Sequence, residues 1–288
     1  RSLQKICREL NPTKIVACWD GEGGSQKRRK ITKEYKEGRK PLKLNRSLSV
    51  LTEEQKKKNQ MWQNMRVMEY LNETPIIQFG FPGVEADDVI SKVVQSDNLS
   101  DYKKIIVSAD KDFWQLVTDD TIVYRPIGSQ FVTKEFVLEQ EGIHPTNFVL
   151  ARAIAGDKSD NLPGVPGAGL PTIAKRIPFL KEEKECSIME ILDYAEKMCN
   201  ESKVKFYPKI IENNKLILKN YKMMQLKAPM LSAQTAIAIR RTLQEAEYKF
   251  NRTNFRAHMV KDGFDMEKNN FSELFAFFNN ICLENRTK

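Results

Sequence analysis

An α/β domain with a parallel sheet over residues 1–132, followed by a helical region over residues 133–288, is what the sequence predicts. Three observations lead there. Short apolar runs of strand length alternate with segments of helical spacing, as in sheets whose strands are joined by crossover helices. Two of those runs lead into aspartates, Asp20 and Asp110, and such sheets bind ligands beyond the carboxyl ends of their strands. Past Thr133 the texture turns helical, broken by a Gly- and Pro-rich stretch at residues 162–171.

In chain order, "KIVACW" (residues 14–19) reads as a buried strand that stops at Asp20-Gly21. Residues 25–39 are strongly basic with helical spacing, and 41–50 read as irregular. Thr52 suits the N-cap of a long helix through Leu71, with Glu53 and Glu54 favoured near its positive end. "PIIQF" (75–79) is the second strand. Val89, Ile90, Val93 and Val94 then recur at helical intervals. "KIIVS" (104–108) leads into "ADKD", and "TIVY" (121–124) is the fourth strand. No internal repeat is present.

Composition narrows the function. Hydrophobic residues make up 41% of the chain, enough for a core, yet no apolar run approaches the ~20 residues of a membrane span. No continuous apolar region follows the first residues, so no signal peptide or membrane attachment is read. Five widely spaced cysteines without a C-x-x-C pair, and two histidines, argue against a zinc site or a disulfide framework. A reducing, cytoplasmic setting is expected. The net charge of +9 favours a polyanionic partner, nucleic acid first.

The carboxylates are clustered: Asp20; Glu85, Asp87 and Asp88 in "GVEADD"; Asp110 and Asp112; Asp157 and Asp160. Each pair alone is ordinary turn and capping chemistry. Together they place like charges in four segments that an α/β fold can gather, and a divalent cation would turn their repulsion into attraction. Oxygen donors without Cys or His suit Mg²⁺ or Mn²⁺, and more acids than one ion needs suggests two ions. "GVPGAGLPTIAK" supplies Gly164, Gly167 and Gly169 for a tight hairpin opening into a helix, where backbone N–H groups and Lys175 can meet a phosphate. The basic run 27–43 includes Arg28, Arg29, Lys36 and Arg39, with Tyr35 among them. That mixture suits phosphate contact with base stacking, where an ordinary charge run would be a solvated face.

These residues resemble the flap endonuclease and 5′-3′ exonuclease family, in particular its bacterial and bacteriophage members. "WDGEGGSQKRRKITKEYKEGRK", "GVEADDVI", "VSADKDFWQL" and "GDKSDNLPGVPGAGLPTIAK" occur in the family's order and approximate spacing, over roughly residues 12–180. The resemblance implies a PIN-like nuclease domain with a helical arch at about 27–71, then a helix-three-turn-helix (helix-hairpin-helix type) DNA-binding element at about 145–180. It implies hydrolysis near 5′ ends, nicks or flap junctions of DNA, with RNA–DNA hybrids as a further substrate in primer removal during replication and repair.

Carried over by motif, Asp20, Glu85 and Asp87 are ligands of a first metal ion and Asp110, Asp112 and Asp157 of a second. Asp88 and Asp160 are additional acids. Lys36 and Arg39 neutralise the scissile phosphate, and Tyr35 meets unpaired bases. Arg28 and Arg29 join the DNA contacts, and residues 164–169 hold the duplex backbone, with K⁺ at the hairpin. Leu170-Pro171 departs from the small or basic residues common after that hairpin, which bears on the K⁺ site. Family members open with a strand ending in Asp-Gly that supplies another first-ion ligand. Here "RSLQKICREL" looks like the end of the helix after it, so the first-ion set is one carboxylate short. A monomer is expected, with the C-terminal region available to replication proteins, while "SELFAFFNN" is read as amphipathic or buried helix without chemistry. Two rivals share parts of the pattern: a PIN-type endoribonuclease, and a catalytically silent structure-specific DNA-binding protein.

Overall fold

The computed structural model describes residues 2–37, 52–265 and 270–285. In chain order the elements are α1 (Ser2–Leu10), β1 (Ile15–Trp19), α2 (Gln26–Ile31), α3 (Glu53–Asn72), β2 (Ile76–Gly80) and α4 (Ala86–Val94). β3 (Lys104–Val107), β4 (Thr121–Arg125) and β5 (Gln130–Val132) follow. The remainder is helical: α5 (Lys134–Glu141), α6 (Pro145–Ala155), α7 (Leu170–Arg176), α8 (Ile188–Glu201), α9 (Phe206–Glu212), α10 (Asn214–Met224), α11 (Ala233–Gln244), α12 (Arg252–Lys261) and α13 (Ser272–Glu284).

Local chemistry explains many of the boundaries. Thr52 caps α3 with a full capping box: its hydroxyl accepts from Gln55 N, and the Gln55 side chain accepts from Thr52 N. Ser187 and Glu190 do the same for α8. Pro145 sits in the first turn of α6, where a missing N–H costs nothing. α2 is shorter than the helical spacing predicts. Thr32 is already extended, at φ −136° and ψ 106°, and residues 33–37 form turns.

The chain forms two compact units. In the first, β1 and β2 pair in parallel with Ile15 opposite Ile76 and Trp19 opposite Gly80. Cys7, Ile76, Leu274 and Phe278 form its core, beside a cluster of Phe255, Met259 and Phe275. α13 therefore spends its apolar residues on packing, as expected of a buried helix.

The second unit spans residues 20–37 and 81–240 among those described. β3 and β4 pair in parallel, and β5, which the sequence reading does not contain, adds an antiparallel edge to β4. Its core runs from Ile106, Phe113 and Trp114 through Phe148 and Ile154 to Ile217 and Leu226. The expected division at 132/133 does not coincide with a boundary between compact units. The reason is α6, whose Phe148, Leu150, Ala151, Ala153 and Ile154 are all buried, with the Phe148 ring 5.4 Å from that of Trp114. That helix completes the core of the strands before it, so the chain cannot be cut there without exposing apolar surface. No helix among the described residues is long and apolar enough to cross a membrane.

Candidate metal and nucleic-acid site

The site lies within the second unit. Asp20 follows β1 directly, and its Oδ1 accepts the backbone N–H of Ala86 at 2.8 Å, at the start of α4. Gly21 allows this approach: a Cβ there would stand 1.7 Å from the Phe81 carbonyl oxygen. Glu85 precedes α4, with Asp87 and Asp88 in its first turn, where the helix dipole favours anions. Asp110 lies beyond β3 and accepts from Asp112 N at 2.9 Å, opening a short 3₁₀ turn, Lys111–Leu116. Asp157 accepts from Ser159 N at 2.7 Å at the start of another, Lys158–Asp160. Asp87, Asp110, Asp112, Asp157 and Asp160 line one pocket with Arg28 and Tyr35.

The electrostatics reflect crowding. Burial pushes the Asp87 carboxyl up to about 7; Lys36 opposes the rise, while Asp110, Glu85 and Asp20 add to it. Burial likewise raises Asp112 to about 6, with Arg152 opposing and Asp110 and Asp157 adding. Burial also acts to raise Asp157, but hydrogen bonds from Ser159 and the charge of Arg152 outweigh it and hold the group below its ordinary value.

Cations of the chain meet these acids. Arg28 donates to Glu85 Oε2 at 2.5 Å and to the two Asp88 oxygens at 2.7 and 3.0 Å, and its Nε donates to the Met223 carbonyl at 2.9 Å. Lys36 Nζ donates to Glu85 Oε1 at 2.8 Å, and the Tyr35 hydroxyl reaches Oε2 at 3.3 Å. Arg152 bridges Asp112 Oδ1, at 3.0 Å, and Asp157 Oδ2, at 2.5 Å. As the side chains stand, no three Asp, Glu, His or Cys groups among the described residues converge closely enough to hold an ion. The donor chemistry nonetheless suits a hard divalent cation: oxygen ligands only, two carboxyls raised by burial and by neighbouring carboxylates such as Asp110, and repulsion that an added dication would relieve.

Three expectations are corrected, for Arg28, Tyr35 and Asp88. Arg28, read as a DNA contact, is only 3% exposed, because two buried carboxylates and a carbonyl take its donors. Tyr35, read as a base-stacking residue, is 4% exposed and packs with Val149, Leu162, Met223 and Met224, so its ring is turned into the core. Asp88, at 2% exposure, has one oxygen shared between Arg28 and Met230 N and the other on Arg28, and is placed as a buried counter-charge. Arg29 is exposed, with Nε on the Tyr35 carbonyl at 3.2 Å, and Lys175 is exposed on α7. Arg39 and the middle of the expected arch lie outside the described residues.

The hairpin between α6 and α7 is tight where the sequence reading puts it. A Cβ on Gly164 would stand 1.9 Å from the Ala155 carbonyl oxygen, and Gly167 has φ +83°. Gly167 and Gly169 are exposed. Two residues escape the sequence reading. Arg152 is one, and a signal existed: it is the lone charged side chain in the apolar helix "PTNFVLARAIA". Asn161 is the other, with φ +57° and its amide on the Glu34 and Glu37 carbonyls.

Residues 1–143 match the family described as the 5′-3′ exonuclease N-terminal, resolvase-like domain. The chain is 32% identical over 205 residues to a 5′-3′ exonuclease of Aquifex aeolicus, a match covering 70% of this chain and 63% of that protein. Over 101 residues it is 43% identical to the thermostable DNA polymerase I of Thermus thermophilus, covering 35% of this chain and 12% of the polymerase. The chain thus spans only part of the curated relatives it matches. Among solved structures, the T5 D15 protein co-crystallized with metal ions superposes with a TM-score of 0.66 at 20% identity, over 85% of this chain and 90% of that one. A T5 D15 flap endonuclease in a pseudo-enzyme-product complex with DNA and metal ions gives 0.65 at 19% identity, over 85% of this chain and 88% of that one. The fold is that of these proteins.

Proposed function

Since this chain belongs to the flap endonuclease and 5′-3′ exonuclease family, we propose that it is a structure-specific, divalent-metal-dependent 5′ nuclease. It hydrolyses phosphodiesters near a free 5′ end, a nick or a flap junction of DNA, and removes RNA primers from hybrids during replication and repair. One observation carries the reading: Asp87, Asp110, Asp112, Asp157 and Asp160, from three segments far apart in sequence, line one pocket.

Asp20, Glu85 and Asp87 would hold a first Mg²⁺ or Mn²⁺, and Asp110, Asp112 and Asp157 a second, with Asp160 beside it. Bound there, the ions would supply an activated water and charge stabilisation at the attacking and leaving oxygens. The chain's own residues do the rest. Arg28, itself anchored by Asp88, holds Glu85 in place from the buried side. Arg152 keeps Asp112 and Asp157 oriented toward one another. Lys36, whose ammonium lies on Glu85, neutralises the phosphate as charge develops, joined by Arg39. The hairpin at 164–169 takes the duplex backbone as part of a helix-three-turn-helix element, with Lys175 adding charge; a K⁺ ion held by the hairpin would supply further charge toward that backbone. The protein acts as a monomer in the cytoplasm, and its C-terminal region is available to replication proteins.

The test is a 5′-end-labelled flap DNA incubated with Mg²⁺ or with EDTA. Short labelled products released near the junction with Mg²⁺ alone are expected. Cleavage of a hairpin RNA in preference to the flap would replace this reading with the endoribonuclease one. Tight flap binding without products would replace it with the silent DNA-binding one.

A further inference from the structure

Residues 33–37 leave α2 as a chain of turns, and their backbone is tied to the loop that carries Asp157 and Asp160. The Asn161 side-chain amide donates to the Glu34 carbonyl at 3.0 Å and to the Glu37 carbonyl at 2.9 Å. An amide group has two donor hydrogens, and both are spent on the two ends of one turn. Between those ends, Lys36 N donates to the Asp160 carbonyl at 3.2 Å. Lys36 and Asn161 both have positive φ, +54° and +57°, although neither is glycine. Such conformations persist only where surrounding contacts over-determine them. The neighbouring Tyr35 ring is buried against Leu162, the residue after Asn161.

We propose that Asn161 is the positioning residue for Lys36: its amide clasps the 34–37 turn and thereby presents the Lys36 ammonium to the carboxylates. Lysine has a long, rotamer-rich side chain, so its tip is placed only as well as its backbone is held. Here the holder belongs to the same loop as Asp157 and Asp160. The ammonium on Glu85 is therefore set in register with acids from a distant part of the chain. Asparagine meets both demands of the place, because it tolerates the left-handed conformation and carries the paired donors. The inference rests on the proposed nuclease reading only for the consequence at the phosphate; the clasp itself is a matter of geometry.

The test uses two variants. Asn161→Gly keeps the backbone conformation and removes the amide. Asn161→Asp keeps the shape and turns an acceptor toward the two carbonyls. Reductive methylation followed by mass spectrometry reads the clasp without any activity. Lys36, 17% exposed and ion-paired, should label several-fold faster in both variants than in the parent protein, while exposed Lys175 labels equally in all. Single-turnover cleavage of flap DNA then reads the consequence. Asn161→Gly should lower kcat on the order of 10-fold or more with KM little changed, as expected for a misplaced group. Combined with Lys36→Met it should lose nothing further. Unchanged Lys36 labelling would overturn the proposal, and so would losses from the two positions that multiply. If Asn161→Gly does not fold, Asn161→Asp carries the same readings. If the parent protein cleaves no flap DNA, the nuclease reading falls, and the labelling still decides the clasp.

Discussion

Arg28→Met tests how this site is built. The Arg28 side chain is 4% exposed and that of Asp88 is 2% exposed, so the pair is out of water. Removing one partner of a buried pair leaves an uncompensated charge and costs about 3–5 kcal/mol. The structure places the effect at the low end. Asp88 would keep the Met230 N–H at 3.0 Å, and Glu85 would keep Lys36 at 2.8 Å. About 3 kcal/mol, divided by a urea dependence of about 2 kcal/mol per molar, lowers the unfolding midpoint by about 1.5 M. Fluorescence of Trp114, buried in the same unit, reports the transition. Adding Asp88→Asn should recover part of the loss, since the stranded charge is then gone. A surface DNA contact behaves otherwise. If Arg28→Met shifts the midpoint by less than about 0.3 M while the salt dependence of DNA binding drops by about one phosphate contact, the buried cluster is wrong and the residue reaches the nucleic acid.

Further outcomes follow from the same geometry. Burial raises Asp87 to about 7 and Asp112 to about 6, so the folded chain binds these protons more tightly than an unfolded one, whose carboxyls titrate near 3.8. That contribution to stability is full below 3.8 and is lost as pH rises through the folded values, so in EDTA the melting temperature should fall between about pH 4 and 7. Asp87→Asn should flatten the decline and Mn²⁺ should reverse it at pH 8; a curve unaltered by either speaks against the crowded acids. Gly164→Ala puts a Cβ 1.9 Å from the Ala155 carbonyl oxygen and should destabilise by well over ~1 kcal/mol in thermal melts. Gly167→Val has φ +83° and a Cβ that meets the tip of Lys209 at 4.0 Å, an ordinary contact, so the strain should be only about 1–2 kcal/mol while duplex affinity, measured by anisotropy, falls. Asp110→Asn should cut the cleavage rate on the order of 10²-fold or more and leave metal-free DNA binding intact or tighter. Lost binding with an undiminished rate per bound substrate would reverse that assignment.

Local rules made much of this protein legible from its sequence. Strand-length apolar runs gave β1 to β4 within a residue or two, and the Thr52 cap was readable because caps depend on neighbours two or three positions away. The acids and hairpin glycines were legible because each sits in a short motif, and the apolar content of α13 marked it as packing. What the sequence did not decide is which charges face water. In the run from Lys27, Arg28 and Arg29 are equivalent by composition, yet one is buried and the other exposed. The difference is made by Glu85 and Asp88, 57 and 60 positions away, which turn a cation from a surface contact into an internal counter-ion. Tyr35 is buried for the same kind of reason, by Val149, Leu162, Met223 and Met224. Asn161 and Arg152 gain their roles only when the loop from Asp157 to Leu162 meets the 34–37 turn and Asp112. Periodicity and capping are short-range and survive in the sequence. The desolvation of a charge is settled by groups from remote segments, so only the tertiary structure decides it.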